Sequence, residues 1–220
     1  MDYTRMLLIA GHYGSGKTNI AVNVAMHLRR EREKVTIADL DIVNPYFRTE
    51  DSREELARAD IRLICSEYAG TNLDAPALPP EMYAITDDRS MTAVMDIGGD
   101  DRGALALGRY TPAILEENNY EMLLVINGYR PLTRDADSTL EIIREIEAAG
   151  GIPFTAIINN SNLGEETDAE TVLSSLAYAE EISATTGLPI KMTTVRAELY
   201  EELKNRIPNL FPLTLQYKIK

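Results

Sequence analysis

The chain has a single cysteine, Cys65, so it can close no disulfide within itself and build no cysteine-based metal cluster. Cys65 reads as a small buried hydrophobe after a short apolar run. Basic charge is scarce: 22 Lys and Arg stand against 35 Asp and Glu, a net charge of −13. So acidic a surface repels phosphate backbones and anionic membranes, and binding to DNA or RNA is not expected. Long apolar runs are missing too. No stretch approaches the ~20 residues of a membrane span, and residues 1–14 lack the apolar core of a secretory leader, so a cytoplasmic location is expected. There is no internal repeat, low-complexity segment or long linker.

What remains suits one α/β domain over residues 1–220. Hydrophobic residues make up 45% of the chain, and a domain of this size buries roughly 70% of its unfolded surface, enough for a real core. Apolar runs alternate with helical periodicity, which predicts a mostly parallel sheet with helices on both faces, a three-layer α/β/α fold. Strands are expected at 6–10, 35–38, 61–65, 92–97, 122–126, 155–158 and 190–195. The one at 190–195 reads as the last parallel strand, and 213–219 as an edge strand. Helices are expected from 17 to about 32, from about 135 to 149 with Gly150-Gly151 as its stop, and from a Thr167-x-x-Glu170 capping box to Gly187. A short helix is expected around 197–206. The irregular stretch 66–80 contains Pro76, Pro79 and Pro80 and reads as a surface connection or a lid.

Gly11-His-Tyr-Gly14-Ser15-Gly16-Lys17-Thr18 matches the phosphate-loop pattern G-x-x-x-x-G-K-[ST] without a mismatch. It lies between a buried strand and an amphipathic helix, the context the pattern requires. The glycines let the backbone wrap a phosphate chain so that consecutive N–H groups, including that of Ser15, form an anion nest. Lys17 supplies a positive charge to the β- and γ-phosphates, and the Thr18 hydroxyl ligates Mg²⁺. The helix dipole adds to both.

Such a loop needs carboxylates at the ends of neighbouring strands. Asp39-Leu-Asp41 closes the second strand, and Asp96-Ile-Gly-Gly99 closes the run before it. Asp96 is expected to reach the magnesium water shell, and the Gly99 amide to sense the γ-phosphate. After 122–126 stands Asn127-Gly-Tyr-Arg130, without the Lys and Asp of a guanine-reading N-K-x-D, which favours ATP over GTP.

With these motifs the chain resembles the MinD/ParA/Mrp branch of P-loop NTPases, along its whole length. The resemblance implies Asp39 and Asp41 as residues that orient the attacking water or connect to Mg²⁺, Asp41 being the nearer to the water. It further implies that Asn159-Asn160 and the segment Val195-Arg196-Ala197 lie against the base. One departure is plain. Where many of these ATPases carry a second lysine that reaches a dimer partner's phosphates, this chain has His12, which carries no fixed charge near neutrality. Arg48 or Arg102 is a candidate substitute.

The expected function is a slow Mg-dependent ATPase acting as a nucleotide-controlled switch with an unidentified protein partner, and a homodimer is implied by the resemblance. Two other readings stay open. One is an ATP-dependent phosphoryl-transfer enzyme that activates a carboxylate, like dethiobiotin synthetase. The other is a nucleotide-binding module without turnover.

Overall fold

The computed structural model describes residues 2–41, 49–65, 79–99 and 101–215; of Glu50, Asp101 and Arg102 it describes the backbone alone. The strands are β1 Met6–Ala10, β2 Val35–Leu40, β3 Arg62–Ile64, β4 Thr92–Ile97, β5 Tyr120–Ile126, β6 Ala156–Asn159, β7 Ile190–Arg196 and β8 Leu210–Leu213. The helices are α1 Lys17–Leu28, α2 Arg53–Arg58, α3 Ala84–Asp87, α4 Asp101–Gly108, α5 Thr111–Glu117, α6 Ala136–Gly150, α7 Ala169–Ser174, α8 Leu176–Thr186 and α9 Tyr200–Leu203.

All eight strands form one parallel sheet in the order β3-β2-β4-β1-β5-β6-β7-β8. Successive strand residues point to opposite faces, and here both faces are covered. Met6, Leu8, Met95, Leu124 and Ile126 pack on one side with Leu107, Ile143, Ile146 and Ile182 from α4, α6 and α8. Leu7, Ile9, Ile37, Val94 and Val125 pack on the other with Ile20, Val24 and Leu28 of α1. Burial on two faces is why the strands read as continuous apolar runs instead of alternating ones. The three-layer α/β/α architecture is the expected one.

The strand order places β1 centrally, with β4 and β2 on one side and β5 on the other. The chain reverses its direction of travel across the sheet there, and the loop leaving β1 opens into the crevice where such sheets bind ligands.

Three local expectations are corrected. The outermost strand after β7 is β8, at 210–213 and parallel to β7, so β7 is not the last parallel strand. The 213–219 expectation overlaps it only at Leu213, and residues 216–220 lie outside the described residues. Asp168, not Thr167, caps α7: its carboxylate accepts from the Thr171 N–H at 2.8 Å. The Thr167 hydroxyl is already engaged, accepting from the Leu163 N–H and donating to the Gly164 carbonyl. Finally, the helix expected to run on to Gly187 is broken at Ser175, whose hydroxyl donates back to the Val172 carbonyl at 2.7 Å. That back-bond competes with the helical ladder.

Candidate functional site

The loop Gly11 to Thr18 joins β1 to α1 without a residue to spare. Gly16 is the N-cap of α1, with φ at 94°, and a Cβ there would lie 2.3 Å from Asn160 Nδ2, so only glycine fits. α1 has no side-chain cap and no acidic residue in its first turn, whereas α6 and α7 are capped by Asp135 and Asp168. The unsatisfied amides and positive dipole end of α1 are thus left for an external anion.

Lys17 and Thr18 are buried although polar, and each meets one of the acidic motifs. Lys17 Nζ stands 3.8 Å from Asp41 Oδ2. Asp41 is itself held by its neighbour, its N–H donating to Asp39 Oδ1 at 2.9 Å. The Thr18 hydroxyl donates to Asp96 Oδ2 at 2.7 Å, and the same oxygen accepts from Thr49 at 3.2 Å. Asp96 is fully buried, and burial pushes its carboxyl up to about 6. Lys17 pulls against this, Asp41 adds to it, and the two hydroxyls oppose it. Asp96 Oδ1 and Ser15 Oγ are buried with no hydrogen-bond partner among the described residues.

An orphaned carboxylate oxygen beside two hydroxyls is a hard, all-oxygen donor set suited to Mg²⁺, which takes one or two protein ligands and fills its octahedron with water and phosphate oxygens. Among the described residues no group of three or more His, Cys, Asp and Glu could hold a metal alone, so any Mg²⁺ here would depend on the phosphates. Gly99 packs on the same loop: a Cβ there would fall 2.6 Å from the Gly11 carbonyl and 2.8 Å from the Tyr13 nitrogen. The end of β4 and the phosphate loop are therefore in direct backbone contact.

Beyond α1's first turn lies a small pocket of about 90 Å³, lined by Gly16, Asn19, Asn160, Asn162, Thr194 and Arg196 among others. Asn160 bridges its two walls: it donates to the Ser15 carbonyl at 2.6 Å and accepts from the Thr194 hydroxyl at 2.5 Å. Asn159 is fully buried and turned elsewhere, donating to Ser175 at 2.9 Å and accepting from the Ser161 N–H. The pocket is bounded by the loops after β6 and β7, not by residues 127–130 after β5. The segment after β6, Asn159-Asn160-Ser161-Asn162, contributes Asn160 and Asn162 to this pocket and carries neither Lys nor Asp. Thr49 and Thr194 were invisible as site residues, since an isolated threonine carries no spacing signal. His12 bonds its own loop, with Nδ1 3.1 Å from the Tyr13 carbonyl oxygen. Arg48 lies outside the described residues, as do residues 66–78 and the side chain of Arg102.

A central phosphate loop, a parallel sheet of this order and acidic ends on β4 and on β2 beyond it define a P-loop NTPase fold. Comparison with solved structures agrees. Chloroplast FtsY from Physcomitrella patens is 20% identical, with a TM-score of 0.55 over 88% of this chain and 59% of that one. The cell division protein FtsY of Thermotoga maritima is 17% identical, with a TM-score of 0.56 over 88% and 62%. A nucleotide-binding protein from Archaeoglobus fulgidus, solved in complex with ADP, is 13% identical, with a TM-score of 0.50 over 90% and 84%. The chain spans about three fifths of the FtsY chains it matches. No protein-family model matches the sequence, and no curated protein matches it.

Proposed function

We propose that the protein is a Mg-dependent nucleoside triphosphate switch with slow hydrolysis, taking ATP in preference to GTP. The observation that carries this is the convergence of Lys17, Thr18, Asp41 and Asp96 on one loop, with Asp96 Oδ2 held by the Thr18 and Thr49 hydroxyls and Oδ1 left without a partner among the described residues. Bound Mg²⁺ would neutralise charge on the phosphates. Thr18 and Asp96 would hold it, Lys17 would bind the β- and γ-phosphates, and Asp41, steadied by Asp39, would orient water. Gly99 against the loop makes the end of β4 sensitive to the γ-phosphate. The ATP preference rests on the pocket edge, where Asn160 and Asn162 replace the Lys and Asp of a guanine reader. Relatives in fold were solved with ADP and with GDP, so base choice has to be measured.

The partner of this switch is a protein, either a second copy of the chain or another. Tyr13, Tyr129, Leu132 and Leu163 are exposed on the loops leaving β1, β5 and β6, around the phosphate loop. Apolar side chains at that rim suit a surface that is covered in one nucleotide state. No helix among the described residues is long and apolar enough to cross a membrane. Steady-state phosphate release with Mg-ATP and Mg-GTP, run beside Lys17→Ala, tests the reading. Slow release that the variant abolishes is expected; equal release from both proteins would overturn it.

A further inference from the structure

The phosphate loop itself brings one lysine, Lys17, and the His12 ring bonds its own loop. The geometry points to Arg130 as a second cation beside Lys17, acting from the same chain on the γ-phosphate of bound nucleotide and on the oxygen that bridges it to the β-phosphate. This rests on the nucleotide-binding reading above.

Arg130 follows β5, the strand beside β1, so its loop leaves the sheet next to the phosphate loop. Its Nε lies 4.0 Å from where a Gly14 Cβ would be, which sets the guanidinium against the middle of that loop. The side chain is exposed, as an access-facing cation must be.

The backbone beneath it is fixed. Pro131 restricts Arg130 to an extended conformation, observed as φ −107° and ψ 138°. The Arg130 N–H donates to the Asn127 carbonyl, and the Thr133 hydroxyl donates to the same carbonyl at 2.8 Å. Asn127 is fully buried, and its Oδ1 accepts from the Tyr129 N–H. The Gly128 N–H donates to Ser161, and the Tyr178 hydroxyl donates to the Thr133 carbonyl. A long flexible cation is thus mounted on a rigid base beside the loop. The fixed base confines the guanidinium to the side of the phosphate loop, which limits the ordering it needs to meet a phosphate.

In hydrolysis the water oxygen bonds to the γ-phosphorus. The bond from that phosphorus to the bridging oxygen breaks, and its electron pair stays with the diphosphate. Both of the water's protons go to the released phosphate, and one of them passes on to solvent. Charge therefore grows on the bridging oxygen and the diphosphate, where the planar, permanently charged guanidinium donates best.

The test is single-turnover hydrolysis by the full chain, comparing wild type, Arg130→Ala and Arg130→Lys, with calorimetric affinities for the Mg-diphosphate. Arg130→Ala is expected to slow hydrolysis about 10²- to 10³-fold. Its diphosphate affinity should stay within about threefold, and Arg130→Lys should recover only part of the rate. Where unaided turnover is too slow to follow, the ratio of triphosphate to diphosphate affinity is read instead. Arg130→Ala then lowers it about tenfold, the worth of one charged hydrogen bond. A wild-type-like rate, or an unchanged ratio, in Arg130→Ala overturns the assignment while leaving the switch reading intact. Failure of the wild type to bind either triphosphate overturns both. Mixing Arg130→Ala with Lys17→Ala protein separates cis from trans action: no recovery is expected, and recovered activity would contradict a same-chain role.

Discussion

Asp41 and Asp96 are both buried carboxylates within reach of the phosphate loop, yet their surroundings assign them different work. Asp96 already accepts two hydroxyl hydrogen bonds and keeps one oxygen bare, which suits a cation's shell. Asp41 faces Lys17 and is steadied through its backbone by Asp39, which suits a group that orients water. Asp41→Asn should therefore keep triphosphate affinity within a few-fold and lower hydrolysis by about 10²-fold, as removal of a positioned base does. Titration calorimetry alongside phosphate release separates the two effects. Asn160 belongs to the same scale. Asn160→Ala strands the Ser15 carbonyl in a buried place and leaves the Thr194 hydroxyl only its longer bond to the Asn159 carbonyl, and should cost roughly 1–3 kcal/mol in urea unfolding.

Among the elements, strand positions were readable because doubly covered parallel strands carry continuous apolar runs, as β1 does over its whole length, β4 at 93–95 and β5 at 122–126. β8 escaped for a physical reason. It is four residues long and contains Pro212, a residue that sequence patterns treat as a strand breaker but that an outermost strand tolerates. The capping box failed because two overlapping patterns, Thr167-x-x-Glu170 and Asp168-x-x-Thr171, compete, and only tertiary contacts show that Thr167 is spent on its own turn. The assignment is testable: Asp168→Ala should lower stability by about 1 kcal/mol, while Glu170→Ala should change it by less than about 0.5 kcal/mol. Thermal melts of the two variants decide it. The pocket beside α1 shows the same limit. Its walls come from the loops after β6 and β7, far in sequence from the phosphate loop, so no motif spacing marked it and only the resemblance pointed to Asn160 and Arg196.

Over the whole molecule, acidic excess leaves few cations for structural use, and one is placed where three segments meet. Arg5 grips Glu117 with two hydrogen bonds and donates to the carbonyls of Ile85 and Met91, tying the start of β1 to α5 and to the segment before β4. The Arg5 guanidinium holds the Glu117 carboxyl below its usual range. A depressed folded value means the stabilisation is fully present above the ordinary carboxylate range and is lost as pH falls through the folded value. Urea unfolding followed from about pH 6 to about pH 3 should lose stability more steeply in wild type than in Glu117→Gln. Equal slopes would show that the pair contributes nothing. The fold itself is a scaffold that brings the carboxyl ends of β1, β2 and β4 together at one crevice.

That convergence is tested most directly by calorimetric titration of the purified protein with ATP and with GTP, with and without Mg²⁺, beside Lys17→Ala. The account predicts one nucleotide per chain, tighter binding of ATP than of GTP, dependence on Mg²⁺, and loss of at least about 100-fold in affinity in the variant, the worth of a buried charge-assisted contact. Heat-silent titrations with both nucleotides, or binding that Lys17→Ala leaves unchanged, would contradict it.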